Sequence, residues 1–190
     1  MPRPIPTGAM QGCSAWGTLF PMTRLTLLRH AKSSWDHPEL TDLQRPLNGR
    51  GRRSARLMGA VCAGRFPAPD LIVLSPSVRT RETVRLFLEA WAEADRRAGT
   101  AEIMVTDDLY LAGRSDWIRI IGDIAGRGDH IIGCGHQPGL GDFISWLDPE
   151  FRREVPTAAV ISFPTADGLF AAERGCCAAD FFGKPRDFES

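Results

Sequence analysis

The sequence predicts an α/β fold, a three-layer sandwich in which helices flank a mostly parallel central sheet. Short apolar runs of strand length alternate along the chain with longer segments of helical periodicity. Such alternation is typical of a parallel sheet covered by helices on both faces. Polar and charged residues directly follow three of the apolar runs, which is where ligands bind in open α/β sheets.

The elements can be assigned in chain order. Strands are predicted at residues 25–28, 70–75, 102–105, 130–134 and 158–163, with 169–172 as a hairpin partner of the last. Helices are predicted at residues 49–64, 77–97 and 115–125, and a fourth follows a turn at residues 135–139 and runs to about residue 147. Pro76 favours the start of the second helix because proline is tolerated in a first turn, and Ser115 is the predicted N-cap of the third.

The length of 190 residues favours one domain, predicted at residues 22–190. Residues 1–21 differ from the rest, because they are rich in proline and glycine and lack the apolar stretch of a signal peptide. We expect them to be a disordered leader, or to precede the true start of the protein at Met22.

The amino-acid composition limits the classes of binding partner to be expected. The chain has 23 basic and 23 acidic residues, so charge gives no reason to expect nucleic acid or an anionic membrane as a partner. Nor is any apolar run long enough to span a bilayer.

Of the five cysteines none forms a Cys-x-x-Cys pair, and Cys62 and Cys134 lie in apolar surroundings. We therefore expect free thiols and a cytoplasmic location. As a separate expectation, the protein is a monomer.

Reactive side chains follow three of the predicted strands. Arg29 and His30 end the first, Arg79 lies in the helix turn after the second, and His136 follows the fourth. If these strands are neighbours, two arginines and two histidines converge at one edge of the sheet, together with two helix amino termini.

A phosphate dianion suits this group of residues. Two guanidinium groups would balance its charge through forked hydrogen bonds. One histidine must be neutral to attack phosphorus, while the other can donate a hydrogen bond to a phosphoryl oxygen. A covalent phosphohistidine would split the reaction into two displacements, the second by water.

The ordered motifs resemble those of the histidine phosphatase, or phosphoglycerate mutase-like, superfamily, and within it the SixA-like phosphohistidine phosphatases. The resemblance runs from about residue 23 to residue 187. It is carried by four segments, Arg29-His30-Ala31-Lys32-Ser33, Asp42 with Arg45-Pro46-Leu47-Asn48, Ser75-Pro76-Ser77-Val78-Arg79-Thr80 and Gly135-His136-Gln137-Pro138-Gly139-Leu140.

The resemblance implies roles for individual residues and implies neither a metal nor an organic cofactor. His30 would be the nucleophile, and Arg29, Arg79 and His136 would complete the phosphate pocket. A proton donor would be Asp107, Asp108 or neither, with Asp108 preferred. Two further residues are candidates for substrate binding: Ser33, and Arg45, which could instead pair with Asp42.

The sequence is compatible with several substrates. The segment between Arg79 and His136 has little surplus for a lid, which favours phosphohistidine on a protein over a small phosphorylated metabolite. The alternatives are a small-metabolite phosphatase, a phosphomutase and a non-catalytic phosphate-binding protein. A metalloenzyme using His30, His136 and Asp108 would lack the short paired-ligand motif typical of such sites.

Overall fold

The computed structural model of the protein describes residues 20–165, 169–170 and 173–189, and a mixed sheet of six strands lies at its centre. The described strands are β1 (Phe20–Pro21), β2 (Arg24–Arg29), β3 (Leu71–Leu74), β4 (Glu102–Val105), β5 (His130–Gly135), β6 (Val160–Pro164), β7 (Leu169–Phe170) and β8 (Phe181–Gly183). The described helices are α1 (Gly49–Ala63), α2 (Val78–Ala94), α3 (Arg114–Ile124) and α4 (Gly139–Leu147).

The central sheet has the strand order β4-β3-β5-β2-β6-β8. The first four strands are parallel, whereas β6 and β8 join antiparallel to their neighbours. The predicted fold class is confirmed, with a mostly parallel sheet at the centre. The strands that carry the reactive residues, β3, β5 and β2, lie side by side.

Alternation along the strands builds one core on each face of the sheet. Leu25 and Leu27 of β2 are fully buried on the face covered by α3 and α4. Leu28 faces the opposite side, where α1 and α2 pack. Because a strand buried on both faces is mostly apolar at successive positions, β2 reads in the sequence as a short apolar run. Its one buried polar residue, Thr26, is hydrogen-bonded to His130 and Ser162.

Local hydrogen bonds fix where the helices begin. The side chain of Asn48 accepts a hydrogen bond from the amide of Gly51 at 2.8 Å and caps α1. Ser77 caps α2 in the same way. The predicted N-cap of α3 was wrong by two residues, because Gly113 occupies that position and Ser115 already lies within the helix.

The carboxyl-terminal part of the chain departs from the prediction. Leu169–Phe170 pairs antiparallel with β1 and not with β6, which instead pairs with Phe181–Gly183. Phe170 is buried in the core beside α3 and α4, and this burial outweighs a local hairpin. Residues 171–172 of the predicted hairpin lie outside the described residues, as do residues 1–19 of the predicted leader.

No helix in the described part of the chain is long and apolar enough to cross a bilayer.

Candidate active site

The carboxyl ends of β3, β5 and β2 meet at one edge of the sheet. Cys134 of β5 lies in register with Leu28 on one side and with Leu74 on the other. The residues that follow these positions, Arg29-His30, Ser75 and His136, are therefore brought together, as the sequence predicted.

Arg29, His30 and His136 line a pocket of about 440 Å³. It contains six of the seven predicted site residues, namely Arg29, His30, Ser33, Arg45, Arg79 and His136. Asp108 does not line it, because its carboxylate pairs with Arg119 at 2.9 Å and its side chain is 55% exposed. This placement does not support Asp108 as the proton donor. Asp107 does not line the pocket either.

His30 is held in one tautomer by the backbone. Its Nδ1 lies 2.8 Å from the carbonyl oxygen of Ala31, and because a carbonyl only accepts, Nδ1 carries the proton. The lone pair is then on Nε2, which makes no hydrogen bond to any described residue. The ring thus presents an unprotonated nitrogen to the pocket.

The environment keeps this ring neutral. Burial is the main cause that lowers the pKa of His30, to about 4. The hydrogen bond to Ala31 opposes the shift, and the positive charges of Arg79, Arg29 and Arg45 reinforce it. At neutral pH the imidazole is therefore free of the proton that would block its attack on phosphorus.

His136 faces His30, with the ring centroids 4.9 Å apart. Its Nδ1 lies 3.3 Å from Nη2 of Arg79, which can only donate, so Nε2 carries the proton and donates to Ser75 Oγ at 2.8 Å. Burial, then the neighbouring His30 and Arg79, lower the pKa of His136 to about 3. Ser75, which the sequence suggested only as a strand end, is thus the residue that orients this ring.

Three guanidinium groups, those of Arg29, Arg45 and Arg79, line the pocket. The guanidinium of Arg29 is held through Nη1 by the carbonyl of Val155 at 2.8 Å. Because guanidinium groups bind anions through forked, charge-assisted hydrogen bonds, this cluster favours an anion with several acceptor oxygens.

Arg45 belongs to this cluster and is not confined to pairing with Asp42. Its Nη2 donates to Ser33 Oγ at 2.9 Å, while Asp42 lies 3.6 Å away. The guanidinium also stacks over the ring of Trp35 at 3.5 Å, although Trp35 itself is 73% exposed. Trp35 and Ser33 thus hold Arg45 over the mouth of the pocket.

Asp42 is an acidic residue of the pocket whose place the sequence did not predict. Its Oδ2 accepts hydrogen bonds from Arg79 Nη2 at 2.8 Å and from the hydroxyl of Tyr110 at 3.0 Å. Burial alone would raise the pKa of Asp42, but these hydrogen bonds and the charges of Arg79 and Arg45 bring it below its usual range. Asp42 is therefore a carboxylate at neutral pH and a poor proton donor.

The loop after β2 is anchored by α1 and α2. The amide of Ala31 donates to Thr83 Oγ1 at 3.0 Å, and the carbonyl of Lys32 accepts from the amide of Asn48 at 3.0 Å. Gly51 lies directly against the Lys32 carbonyl, where a Cβ atom would overlap the backbone. The position of the nucleophile thus depends on helix packing as well as on the sheet.

In the described part of the chain no three His, Cys, Asp or Glu side chains are grouped so that they could hold a metal ion. The set that a metalloenzyme would use, His30, His136 and Asp108, is not assembled, because Asp108 lies outside the pocket.

Comparison with known proteins identifies a family model and two similar proteins. A family model described as histidine phosphatase superfamily (branch 1) matches residues 25–107. An uncharacterised chloroplastic protein of Arabidopsis thaliana is 44% identical over 62 residues, which cover 33% of this chain and 28% of that protein. An uncharacterised protein of Mycobacterium tuberculosis is 28% identical over 169 residues, covering 84% of this chain and 100% of its own length.

Solved structures share the fold. A protein of Agrobacterium tumefaciens assigned as the phosphohistidine phosphatase SixA superposes with a TM-score of 0.71 at 25% identity, covering 86% of this chain and 99% of that one. An Escherichia coli protein assigned as an alpha-ribazole-5′-P phosphatase superposes with a TM-score of 0.61 at 15% identity, covering 86% and 97%. The second likeness concerns the fold alone.

Proposed function

Because the chain belongs to the histidine phosphatase superfamily, we propose that it hydrolyses a phosphoramidate, phosphohistidine on a protein, through a covalent intermediate on His30. One observation carries the proposal. The unprotonated Nε2 of His30 faces a pocket that is lined by the guanidinium groups of Arg29, Arg45 and Arg79. A phosphoryl group supplies both the electrophile that this nitrogen needs and acceptor oxygens for these guanidinium groups.

In the first step, Nε2 of His30 forms a bond to phosphorus as the bond from phosphorus to the substrate nitrogen breaks. His30 then carries the phosphoryl group on Nε2 and a proton on Nδ1, so its ring becomes positively charged. The carbonyl of Ala31, which accepts from Nδ1, stabilises that charge. The arginines would bind the equatorial oxygens throughout, so positioning and charge provide most of the catalysis.

In the second step, water attacks phosphorus on the face that the leaving group vacated. The bond from phosphorus to Nε2 breaks, and His30 regains its neutral form with the proton still on Nδ1. Inorganic phosphate leaves, and the proton lost by the water passes to the phosphate or to solvent.

The acid–base character of the pocket favours a phosphoramidate over a phosphomonoester. An alkoxide leaving group requires a strong general acid, yet Asp42, the acidic residue lining the pocket, has a lowered pKa. A phosphorylated imidazole that is protonated on its other ring nitrogen leaves as neutral imidazole. Such a leaving group needs no proton from the enzyme.

The test compares substrates in the presence of a chelator. We expect rapid release of phosphate from a histidine-phosphorylated peptide and at least tenfold lower kcat/KM with phosphoserine peptide or 3-phosphoglycerate. Fast turnover of a sugar phosphate with none of the phosphohistidine peptide would replace the proposal with a small-metabolite phosphatase. Phosphoryl transfer between two phosphoglycerates would instead identify a mutase, and loss of activity in chelator would identify a metalloenzyme.

A further inference from the structure

A second cavity, of about 750 Å³, adjoins the phosphate pocket, and Lys32 and Thr157 line both. Five basic side chains line this basic cavity, against two acidic ones. The basic residues are Lys32, Arg50, Arg153, Lys184 and Arg186. A local excess of this kind is notable in a chain whose formal net charge is zero.

The charges of the basic cavity are largely unpaired. Arg50, Arg153 and Arg186 make no ion pair within 4.0 Å with any described residue, and Lys184 reaches Asp187 only at 4.0 Å. Two other exposed arginines of α1 are paired, Arg52 with Glu82 at 2.6 Å and Arg56 with Glu89 at 2.7 Å, whereas Arg53 makes no ion pair with any described residue. Unpaired charges side by side repel one another, and an anionic partner would relieve that repulsion.

The basic residues come from four separate parts of the chain. Lys32 follows β2, Arg50 lies in the first turn of α1, Arg153 precedes β6, and Lys184 and Arg186 follow β8. Packing of these segments therefore brings the charges together, and they do not form one continuous basic stretch of sequence. The guanidinium of Arg153 also lies 5.3 Å from the centre of the Phe182 ring.

From this arrangement we propose that the basic cavity is a docking surface for an acidic polypeptide segment beside the phosphorylated histidine of a protein substrate. The inference rests on the proposed function. When a phosphoryl group enters the pocket on a histidine side chain, the residues flanking that histidine must lie over the surface around the mouth. Lys32 lines both cavities, so the basic cavity begins at that mouth. Aspartates or glutamates of the partner would pair there, which speeds association and makes it salt-dependent.

The test uses two histidine-phosphorylated peptides of equal length, one flanked by aspartates and one by lysines, with phosphoimidazole as a small substrate. The variant carries R50E and R186E, two exposed positions that lie outside the phosphate pocket. A glutamate at position 50 suits the amino terminus of α1, so the helix is preserved. The control is R96E, an exposed arginine outside both cavities.

At low salt the wild type should prefer the acidic peptide in kcat/KM by at least tenfold, and the double variant should lose that preference. Phosphoimidazole hydrolysis should stay within twofold, and R96E should match the wild type with all three substrates. An unchanged preference in the double variant would overturn the docking surface.

An incorrect proposed function would be recognised by a different result, the absence of phosphoramidate hydrolysis by the wild type. If the wild type hydrolysed none of the phosphoramidates, the docking surface would be judged by fluorescence anisotropy with the labelled, unphosphorylated acidic peptide. Weaker binding by the double variant supports the surface, and equal binding by both proteins refutes it.

Discussion

Lowering the pH tests the state of the nucleophile. The pKa of His30 is about 4, because the ring is buried and three arginines surround it. At pH 5 a histidine with this pKa is about 90% neutral, whereas a histidine with a pKa of 6.5 is about 3% neutral. The fraction of enzyme with a competent nucleophile at pH 5 is thus raised roughly 30-fold by the environment of His30.

The assay is a titration of the imidazole Cε1–H resonances of the free enzyme by NMR. The resonance of His30 is assigned as the one missing from His30→Gln. With a pKa of about 4, only about 10% of His30 is protonated at pH 5, so we expect its resonance to shift little between pH 7 and pH 5. A midpoint near 6.5 for the His30 resonance would show that the pocket does not keep this ring neutral.

Protein stability has to be followed in the same experiment. Burial lowers the pKa of His130 to about 4 and that of His136 to about 3, as it does for His30. Between pH 6.5 and about 4 the unfolded chain binds protons at these positions that the folded protein does not. The free energy of unfolding therefore falls as the pH falls through this window, so circular dichroism must show a folded protein at each pH.

Three further predictions concern the surroundings of His30. Asp42→Asn removes a half-exposed carboxylate that competes with the ligand for Arg79. Inhibition by vanadate should become about fivefold tighter, which corresponds to a binding free energy of roughly 1 kcal/mol. A 100-fold drop in kcat would instead identify Asp42 as the proton donor. Trp35→Ala removes the ring under the Arg45 guanidinium, which should weaken vanadate binding about fivefold with little change in Tm; unaltered binding would show that the stack does not position Arg45. Gly51→Ala forces a Cβ against the Lys32 carbonyl and should cost about 1–3 kcal/mol in urea unfolding. Gly64→Ala is its control, because the nearest atom there is 3.9 Å away, and equal costs for the two variants would contradict the packing argument.

The parts of the site that follow from the sheet could be predicted from the sequence. Arg29 ends β2, and His30 and His136 directly follow β2 and β5. Parallel strands that are neighbours end at one edge of the sheet. Burial of Cys62 and Cys134 was also confirmed, because both lie in apolar periodic segments. In these cases the local sequence pattern and the order of the strands specify the same position for each residue.

The acidic member of the pocket could not be predicted in this way. Asp42 and Tyr110 are 68 positions apart and meet only because two loops fold over the same mouth. Loop positions depend on long-range packing, which strand and helix periodicity does not encode. The spacing of Asp42 and Arg45 within one motif was the available signal, since both side chains contact the same pocket.

In the proposed mechanism His30 carries the phosphoryl group, and this phosphoenzyme can be trapped. Enzyme mixed with a radiolabelled histidine-phosphorylated peptide is quenched within one turnover, and the protein-bound label is measured after alkali and after acid. We predict a label that is stable to alkali, labile to acid, absent in His30→Ala and retained in His37→Ala, whose histidine lies outside the pocket. A label that persists in His30→Ala, or wild-type turnover without any protein-bound label, would rule out a phosphoenzyme on His30.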